Sequence, residues 1–442
     1  MSPAVSTEIG GIIRRVRKRR RLRLEDLADE NISPATISNL ERGVPHVKQD
    51  KLDYLLDKLG ISMDQIPELI LEEKEELKNL KFQLFSCESL VSIGKPDNAL
   101  EKLSQLEVED THPHAALYHY IQGKSYRSKK NWKKAERSLY QAVRIGSQTR
   151  SDLEAAAFNE LSLCSYYQNR LEQALKYAES GIASFEDTGE RPQIKYLLRR
   201  NKAIYLERLG RLGEAMKVVN EAWEWLPQIE QIETKLSFYW LQSELSRRTG
   251  VWDQAVHYAE TGLELARLNQ HYSMMFDFWT VLANTAMKLE DWKRAEHCFS
   301  MALELKDQLP EQDERRLITT YTRLGKLYIN IKKADEAHQT LQKAIQIGKQ
   351  QQDIPRLTHA LQIMGDYYRL RKEKSKAIPC YRQALEIAQQ HGLKKRSYQS
   401  TFHLAQCLNG VDEQEFQELT RIMFTLQVEL QNEEGVLFEE MD

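Results

Sequence analysis

The sequence predicts an all-α protein in which a five-helix N-terminal domain precedes about nine helical hairpins in tandem. Apolar residues near the N-terminus recur at helical spacing, and from position 99 onward an alanine recurs about every 40 residues. Proline is scarce, with 11 residues in a chain of 442, so long helices can form without interruption. A chain of this length exceeds one compact core unless it forms an elongated repeat array.

The N-terminal segment combines an amphipathic helix with a strong local positive charge. The apolar residues at i, i+3, i+4 and i+7 are Ile9, Ile12, Ile13 and Val16. Residues 14–23 contain eight basic side chains in ten positions, although the whole chain has a net charge of −2. A short second helix is expected at 24–29, followed by a tight turn in which Asn31 adopts a positive φ.

The next segment has the signals that begin and end a short third helix. Ser33 is a good N-cap, and Pro34 then occupies the first helical position, where a missing N–H costs nothing. Ile37 and Leu40 face inward, and Gly43 ends the helix. A fifth helix begins near position 63, after a fourth helix whose apolar face comprises Leu52, Leu55, Leu56 and Leu59.

The outward side chains of the third helix are short enough for it to enter a DNA major groove. Asparagine can pair with adenine, serine and threonine can bond several bases, and alanine can contact a thymine methyl group. The basic end of the first helix would lie over phosphates and supply most of the affinity. The predicted DNA-binding residues are Arg19, Arg20, Arg21, Arg23, Ser33, Ala35, Thr36, Ser38, Asn39 and Arg42. The alternative is a helical domain whose basic stretch is merely solvated.

This arrangement resembles the five-helix helix-turn-helix domain of the phage-repressor (Xre/Cro) group over about residues 8–68. The residues that carry the resemblance are Leu22, Leu27 and Ala28, the run Ile37-Ser38-Asn39-Leu40, and Glu41-Arg42-Gly43. Leu24 stands where that group usually has a polar residue, and Pro34 removes a side chain that often contacts bases. The resemblance implies a double-stranded DNA operator as a partner. Because of the two departures, sequence specificity is expected either to be modest or to rest more on Thr36 and Asn39.

The remaining chain is a repeat built around a recurring alanine. The alanines, which we use as anchors, are Ala99, Ala135, Ala174, Ala215, Ala255, Ala295, Ala337 and Ala377. All eight residues that lie twelve positions before an anchor are small, as are seven of the eight that lie seven positions after one. Small residues at fixed offsets let two helices approach closely, so each unit is expected to be a helical hairpin packed on the next.

The pattern is similar to the tetratricopeptide repeat, although its spacing of 36–42 residues exceeds the usual 34. The resemblance implies a right-handed superhelical solenoid with a concave groove. We divide the chain into a helix-turn-helix domain (1–68), a linker helix with the first half of repeat 1 (69–92), a repeat solenoid (93–394) and a degenerate capping repeat (395–442).

The register of the repeat places the positions 15, 14 and 11 before each anchor on the groove side of the first helix. Asparagine and glutamine there can bond both the N–H and the C=O of an extended peptide, and arginine or lysine can hold a carboxylate. The predicted peptide-binding residues are Asn159, Arg200, Asn201, Trp240, Glu244, Asn284, Thr322, Arg323, Lys326, Gln362 and Asp366. The alternative is that these are ordinary solvated groove residues.

Several functional classes lack their sequence signals. There is no Gly-rich phosphate loop, no HExxH motif and no nucleophile–base–acid set, so we expect neither enzymatic activity nor a cofactor. The histidines of THPHAALYH (111–119) lack an acidic or cysteine partner at ligand spacing, so we expect no metal site. The five cysteines are scattered, the N-terminus lacks a signal-peptide pattern, and no apolar run reaches membrane-spanning length. We therefore expect a cytoplasmic protein with reduced thiols.

A helix-turn-helix domain followed by about nine repeats resembles the peptide-pheromone-responsive quorum-sensing regulators of Gram-positive bacteria, the group of Rap, NprR, PlcR and PrgX. The architecture is closest to NprR-like members. The resemblance implies a homodimeric transcription regulator whose DNA binding is controlled by a short signalling peptide in the groove. Two alternatives stay open: the repeats bind and sequester (or dephosphorylate) a response-regulator protein, with DNA binding secondary, or they only build an oligomer.

Overall fold

The all-α prediction is confirmed. The computed structural model describes residues 7–44, 47–149, 151–187, 189–310 and 313–434, and these form helices joined by turns and loops. The chain divides into two compact units, Met1–Ile194 (unit 1) and Lys195–Asp442 (unit 2).

Unit 1 begins with the helix-turn-helix domain and continues into three hairpins. Its helices are α1 (Thr7–Arg19), α2 (Leu24–Leu27), α3 (Pro34–Glu41), α4 (Gln49–Lys58), α5 (Ile66–Ser92), α6 (Pro96–Ser104), α7 (Ala115–Ser128), α8 (Trp132–Thr149), α9 (Leu153–Tyr167) and α10 (Leu171–Ser184). A 3-10 turn at Met63–Gln65 leads into α5, so the fifth helix begins where the sequence predicts.

Unit 2 consists of six hairpins. Its helices are α11 (Ile194–Arg208), α12 (Leu212–Trp223), α13 (Ile232–Arg248), α14 (Trp252–Leu268), α15 (Tyr272–Lys288), α16 (Trp292–Glu304), α17 (Arg315–Asn330), α18 (Ala334–Gln350), α19 (Ile354–Leu370), α20 (Lys374–Gln390), α21 (Lys394–Leu408) and α22 (Glu413–Glu434). Together with the three hairpins of unit 1, the described residues form the nine hairpins that the repeat predicts.

A buried core fixes the orientation of α3 in unit 1. Ile37 and Leu40 of α3 are fully buried, together with Ile13 of α1 and Leu52 of α4. Burying a leucine or isoleucine side chain stabilises a fold by about 1.5–3 kcal/mol, so these four residues hold α3 with its opposite face outward.

The ends of α3 are those that the sequence predicts. The Ser33 hydroxyl oxygen accepts a hydrogen bond from the Thr36 N–H at 3.2 Å, which satisfies one of the unpaired donors of the first turn. Pro34 is the first helical residue. Gly43 has a φ of 67°, a conformation that glycine adopts without strain.

The turn before α3 differs from the prediction for Asn31. Asn31 does not have a positive φ. A positive φ of 56° occurs at Arg21, in the earlier turn between α1 and α2. The Asp29 carboxylate accepts hydrogen bonds from the N–H groups of Asn31 and Ile32 at 2.8 and 3.1 Å. Because a side chain closes this turn, Asn31 does not need the left-handed conformation.

Gly10 allows α1 and α3 to pack at close range. A Cβ at position 10 would lie 2.5 Å from the Leu40 carbonyl oxygen and 2.7 Å from that of Glu41. We expect Gly10→Ala to weaken the domain by about 1–3 kcal/mol, since backbone must move to relieve the clash. Gly11→Ala is the matched control, because no atom lies within 4 Å of its Cβ. Hydrogen exchange of the α3 amides should accelerate in Gly10→Ala alone, and equal exchange in both variants would contradict this packing.

The alanine anchors and the small residues around them lie at contacts between helices. All eight anchors are fully buried. A Cβ on the glycine twelve positions before an anchor would lie 2.5–2.6 Å from the side chain four positions after that anchor, in the pairs Gly123–Leu139, Gly325–Leu341 and Gly365–Tyr381. Close packing of the two helices within a hairpin is therefore the physical reason for the repeat.

A further column of residues marks the turn inside the first eight hairpins. One residue in each of these turns has a positive φ, and it always lies five positions before the anchor. Three of them are Gly94, Gly210 and Gly250, and the others are Lys130, Asn169, Glu290, Lys332 and Lys372. Because five of the eight carry a side chain, no glycine pattern reveals this turn in the sequence.

Helix α5 runs without interruption from the helix-turn-helix domain into the first hairpin. It has 27 residues and contains the predicted linker. Several ion pairs support this junction: Lys74 Nζ lies 3.0 Å from Glu8 of α1, Arg15 of α1 pairs with Glu76 of α5, and Lys18 Nζ lies 2.6 Å from Glu109 in the loop after α6. The junction within unit 1 is therefore a continuous helix with exposed ion pairs, each of which contributes at most about 1 kcal/mol.

Candidate functional sites

The outward face of α3 carries the short side chains that the sequence places there. Ala35 and the following Arg42 are exposed, while Thr36, Ser38 and Asn39 are partly exposed. Because the long apolar side chains point into the core, this face is slim enough for the major groove of DNA.

Some of these side chains bond one another within the domain. The hydroxyl oxygens of Ser33 and Thr36 lie 2.9 Å apart. The Arg42 guanidinium donates to the side-chain oxygen of Asn39 and, at 3.3 Å, to the carbonyl oxygen of Ser38. The Asn39 side chain keeps a second lone pair on this oxygen and its two amide hydrogens for an adenine edge, and Arg42 can turn from it toward a phosphate.

The basic stretch divides into exposed arginines and arginines that are paired within unit 1, such as Arg15 with Glu76 of α5. The predicted phosphate-binding residues Arg19, Arg20, Arg21 and Arg23 are exposed. Arg17 instead donates to both carboxylate oxygens of Glu41, at 2.5 and 2.9 Å, and to the Leu22 carbonyl oxygen at 2.9 Å. The hydrogen bonds to Glu41 raise the pKa of Arg17. This arginine therefore ties α3 to α1.

Unit 1 also contains a cleft of about 940 Å³ beside α5. Phe85 and Ile93 line its apolar side, and these side chains are 63% and 66% exposed. On its polar side, the Arg191 guanidinium donates to the two carboxylate oxygens of Glu88 at 2.7 and 3.0 Å. The cleft thus offers an apolar surface next to a half-buried ion pair.

Arg191 is the centre of a network that no sequence motif indicates, since it lies 103 positions from Glu88. The Arg191 guanidinium stacks 5.0 Å from the centre of the Tyr120 ring. The backbone N–H of Arg191 donates a hydrogen bond to the Asp152 carboxylate at 2.5 Å. Burial alone would raise the pKa of Glu88, but hydrogen bonds from Arg191 and Lys124 bring it down to about 2. The carboxylate therefore stays ionised at neutral pH.

In unit 2 the first helices of neighbouring hairpins pack side by side. Helix α13 packs on α15, α17 packs on α19, and α19 packs on α21. We call the surface of α11, α13, α15, α17, α19 and α21 the first-helix face. Ten of the eleven predicted peptide-binding residues lie on these helices, whereas Asn159 lies on α9 of unit 1 and is buried.

Three of the ten predicted residues are buried and bonded within unit 2. Asn201 accepts two hydrogen bonds from Arg200 at 3.1 and 3.2 Å. The Thr322 hydroxyl donates to a carbonyl oxygen of its own helix at 2.7 Å. The Gln362 amide donates to the Ser400 hydroxyl at 2.8 Å. These groups must rearrange before they can bond a ligand.

The two predicted acidic residues are also paired. Arg247 donates to both carboxylate oxygens of Glu244, at 2.6 and 2.7 Å. Asp366 accepts a hydrogen bond from the Tyr381 hydroxyl at 2.6 Å and pairs with Arg369 at 3.3 Å. Their negative charge is therefore largely used inside the protein.

Four of the predicted residues keep side chains that a ligand can reach. Trp240 and Asn284 are partly exposed, and Lys326 is exposed. Within the described ranges, no hydrogen bond or ion pair joins the polar side-chain atoms of Asn284, Arg323 or Lys326 to another residue. These three side chains are the ones that most resemble an unoccupied peptide site.

Ionisable residues that sequence reasoning missed occupy positions 18 and 21 before the anchors. They are Asp277 and His359 at the first offset, and Arg316 and Arg356 at the second. Arg316 Nη1 lies 3.0 Å from Asp277, and burial raises the pKa of Asp277 to about 6 although this arginine lowers it. Extending the three- to four-residue spacing of the groove positions toward the helix N-terminus would have found them.

Two further observations concern membrane spans and metal ligands in the described part of the chain. No helix there is both long and apolar enough to cross a membrane. No three histidine, cysteine or acidic side chains of the described residues cluster as metal ligands would, and His119 pairs with Asp110 at 3.0 Å.

Family models match both parts of the chain. A helix-turn-helix family matches residues 13–66, and tetratricopeptide-repeat families match residues 88–149, 275–350 and 358–391. No curated protein matches the sequence.

Solved structures share the fold at low sequence identity. A Rap protein complexed with Competence and Sporulation Factor aligns with a TM-score of 0.58 and 13% identity, over 80% of this chain and 99% of that one. The apo form of the quorum sensor NprR from B. thuringiensis aligns with a TM-score of 0.55 and 15% identity, over 75% and 94%. Apo RapI gives 0.58 and 11%, over 80% and 98%. The chain therefore joins a helix-turn-helix domain to tetratricopeptide repeats in the fold of the Rap and NprR quorum-sensing regulators, as its sequence resemblance predicts.

Proposed function

We propose that this chain is a cytoplasmic, homodimeric transcription regulator whose DNA binding is controlled by a short peptide held on the first-helix face. One observation carries the proposal: a capped recognition helix with an open outer face shares its chain with a repeat face on which Asn284, Arg323 and Lys326 have no described partner. The proposed role is not enzymatic. The fold of the quorum sensor NprR supports it by analogy.

The proposed mechanism couples the repeats to the spacing of two recognition helices. A dimer reads successive major grooves when these helices lie about 34 Å apart, or a multiple of that distance. A peptide that binds one arrangement of the repeats more tightly shifts the dimer toward that arrangement by its differential affinity. Helix α5 runs from the helix-turn-helix domain into the first hairpin and is paired with α1. A displacement of that hairpin is therefore expected to move α1 as well.

Asn39→Ala is expected to weaken operator binding by about 1–3 kcal/mol and to relax preference at one base pair, because it removes the side chain best suited to adenine. Arg20→Ala should instead weaken binding to all duplexes similarly and flatten the salt dependence. Gel shifts with a duplex selected from a random pool, at two salt concentrations, measure both effects. If Asn39→Ala changes neither affinity nor preference, the assignment of α3 as the recognition helix is wrong.

The peptide part of the proposal is tested by calorimetric titration with candidate short peptides encoded beside the gene, followed by gel shifts with and without the binder. Asn284→Ala should lower peptide affinity about tenfold, because its side chain is available to a peptide backbone. Asn98→Ala, an exposed change on α6, is the matched control and should keep the full response. Peptide regulation that survives Asn284→Ala unchanged would favour repeats that only build an oligomer.

A second candidate is that the repeats hold a response-regulator protein. Exposed apolar side chains on and just after α5 favour it, since Phe82, Phe85 and Ile93 are 69%, 63% and 66% exposed. Such a patch is typical of surfaces that bind proteins. Capture of a purified response regulator by the wild-type protein, lost in Phe82→Ser, would support this candidate over the first.

A further inference from the structure

An unusual polar cluster lies on the first-helix face of unit 2, where α19 meets α21. Arg396 Nη1 lies 3.0 Å from His359 Nδ1 and 3.1 Å from the side-chain oxygen of Gln362. Both partners are uncharged acceptors here, since a guanidinium can only donate hydrogen bonds. No carboxylate of the described residues forms an ion pair with Arg396.

Two more cations face the same histidine. Burial lowers the pKa of His359, and the positive charges of Arg396, Arg323 and Lys326 lower it further, to about 4. The imidazole is therefore neutral at physiological pH. Because its Nδ1 accepts from Arg396, its proton lies on Nε2, which adds a fourth donor to the cluster.

The acidic groups near this cluster are already neutralised by other cations. Glu244 is the carboxylate whose charge raises the pKa of Arg323. Its two oxygens accept hydrogen bonds from the Arg247 guanidinium. Asp353 is paired with Arg356 at 2.5 Å. Burial and the charge of Arg247 lower the pKa of Arg323, although Glu244 raises it, and no carboxylate of the described residues forms an ion pair with this guanidinium.

We propose that Arg323, Lys326 and Arg396 form a subsite for a carboxylate of the bound peptide, either its C-terminal carboxylate or an aspartate or glutamate side chain. Like charges held close together in a half-buried site oppose one another, so an anion that enters between them is bound strongly. The inference rests on the proposed function and deepens it, because it assigns the peptide a negative charge and names the residues that bind that charge.

The test uses the full chain and three pools of N-acetylated random hexapeptides. The first pool has free C-terminal carboxylates, the second is C-terminally amidated, and the third is amidated and lacks aspartate and glutamate. Peptides retained by immobilised protein are quantified by mass spectrometry. Wild type should retain the first pool at least about tenfold better than the third, since charge-assisted hydrogen bonds to the cluster are lost. Strong retention of the second pool would identify side-chain carboxylates as the source, and weak retention would identify the C-terminus.

Lys326→Gln provides the decisive variant, because this exposed side chain supports no described contact and its loss should not affect folding. It should reduce the preference for carboxylate pools severalfold. Lys343→Gln on α18, another exposed lysine, should leave the preference unchanged. Equal retention of all pools by wild type and Lys326→Gln would overturn the subsite and leave peptide binding intact. Retention of no pool would instead remove the proposed function, and the subsite with it.

Discussion

Arg191→Met is expected to weaken unit 1 by about 3 kcal/mol or more around α5 and position 191. Methionine has a similar length, but it can neither pair with Glu88 nor act as the cation over the Tyr120 ring. Glu88 would keep Lys124 at 3.1 Å as its remaining cation. A half-buried carboxylate that has lost its bidentate partner is costly, which makes the expected effect large.

Hydrogen exchange of the α5 amides measures this effect, since it reports the local opening free energy in a protein with several cooperative units. Arg144→Met is the matched control: Arg144 pairs with Asp110 at 2.5 Å, but both side chains are about half exposed. Such a pair contributes at most about 1 kcal/mol, so the control should change exchange only slightly. Similar effects of the two changes would show that Arg191 does not organise unit 1.

The Glu88–Arg191 pair also makes unit 1 sensitive to acid. The pKa of Glu88 falls from 4.5 to about 2 in the folded protein, so folding favours the ionised carboxylate. This stabilisation is complete above the unfolded pKa near 4.5 and is lost as the pH falls toward 2. At about 1.4 kcal/mol per unit, the loss amounts to roughly 3 kcal/mol. Arg191→Met should remove most of this dependence, which exchange at pH 5 and pH 3 can measure.

Phe278→Ala is expected to destabilise unit 2 by about 3–5 kcal/mol. The Phe278 ring is fully buried on α15 and lies against Gly262 of α14, where a Cβ would come within 2.2 Å of it. Removing the ring loses its burial and leaves a cavity beside a helix backbone, which cannot collapse freely.

The control for Phe278 is the same change at a solvated position. Phe424 on α22 is 71% exposed, so Phe424→Ala should alter stability by less than about 0.5 kcal/mol. Hydrogen exchange of the α15 amides measures the effect of Phe278→Ala, and hydrogen exchange of the α22 amides measures that of Phe424→Ala. A small effect of Phe278→Ala would mean that the small residues seven positions after the anchors, such as Gly262, do not mark a tightly packed contact.

The start, the end and the orientation of α3 could be predicted nearly residue by residue because their signals are local. Ser33 and Pro34 begin α3, Gly43 ends it, and Ile37 and Leu40 orient it, as the structure confirms. The positive φ predicted for Asn31 was wrong because its backbone N–H donates a hydrogen bond to the Asp29 carboxylate, and such a bond competes with backbone propensity in a short turn.

The groove residues could be assigned to helices but not to roles. Their register follows from the anchors, and ten of them lie on the first-helix face of unit 2. Whether a side chain is available depends on a partner about one repeat away, as when Gln362 bonds Ser400, 38 positions distant. His359 and Arg396 belong to the same cluster, yet Arg396 lies in a hairpin with no alanine anchor.

The sequence by itself determined the helical class, the start and end of α3, and the number of hairpins. Helix caps, periodicity and small-residue columns act over a few residues or recur at a fixed spacing. The tertiary structure alone decided which charges are paired: Arg17 with Glu41, Arg191 with Glu88, and Arg396 with a neutral histidine. Electrostatic partners are chosen by proximity in the folded chain and by burial, and neither is written in the spacing of the residues.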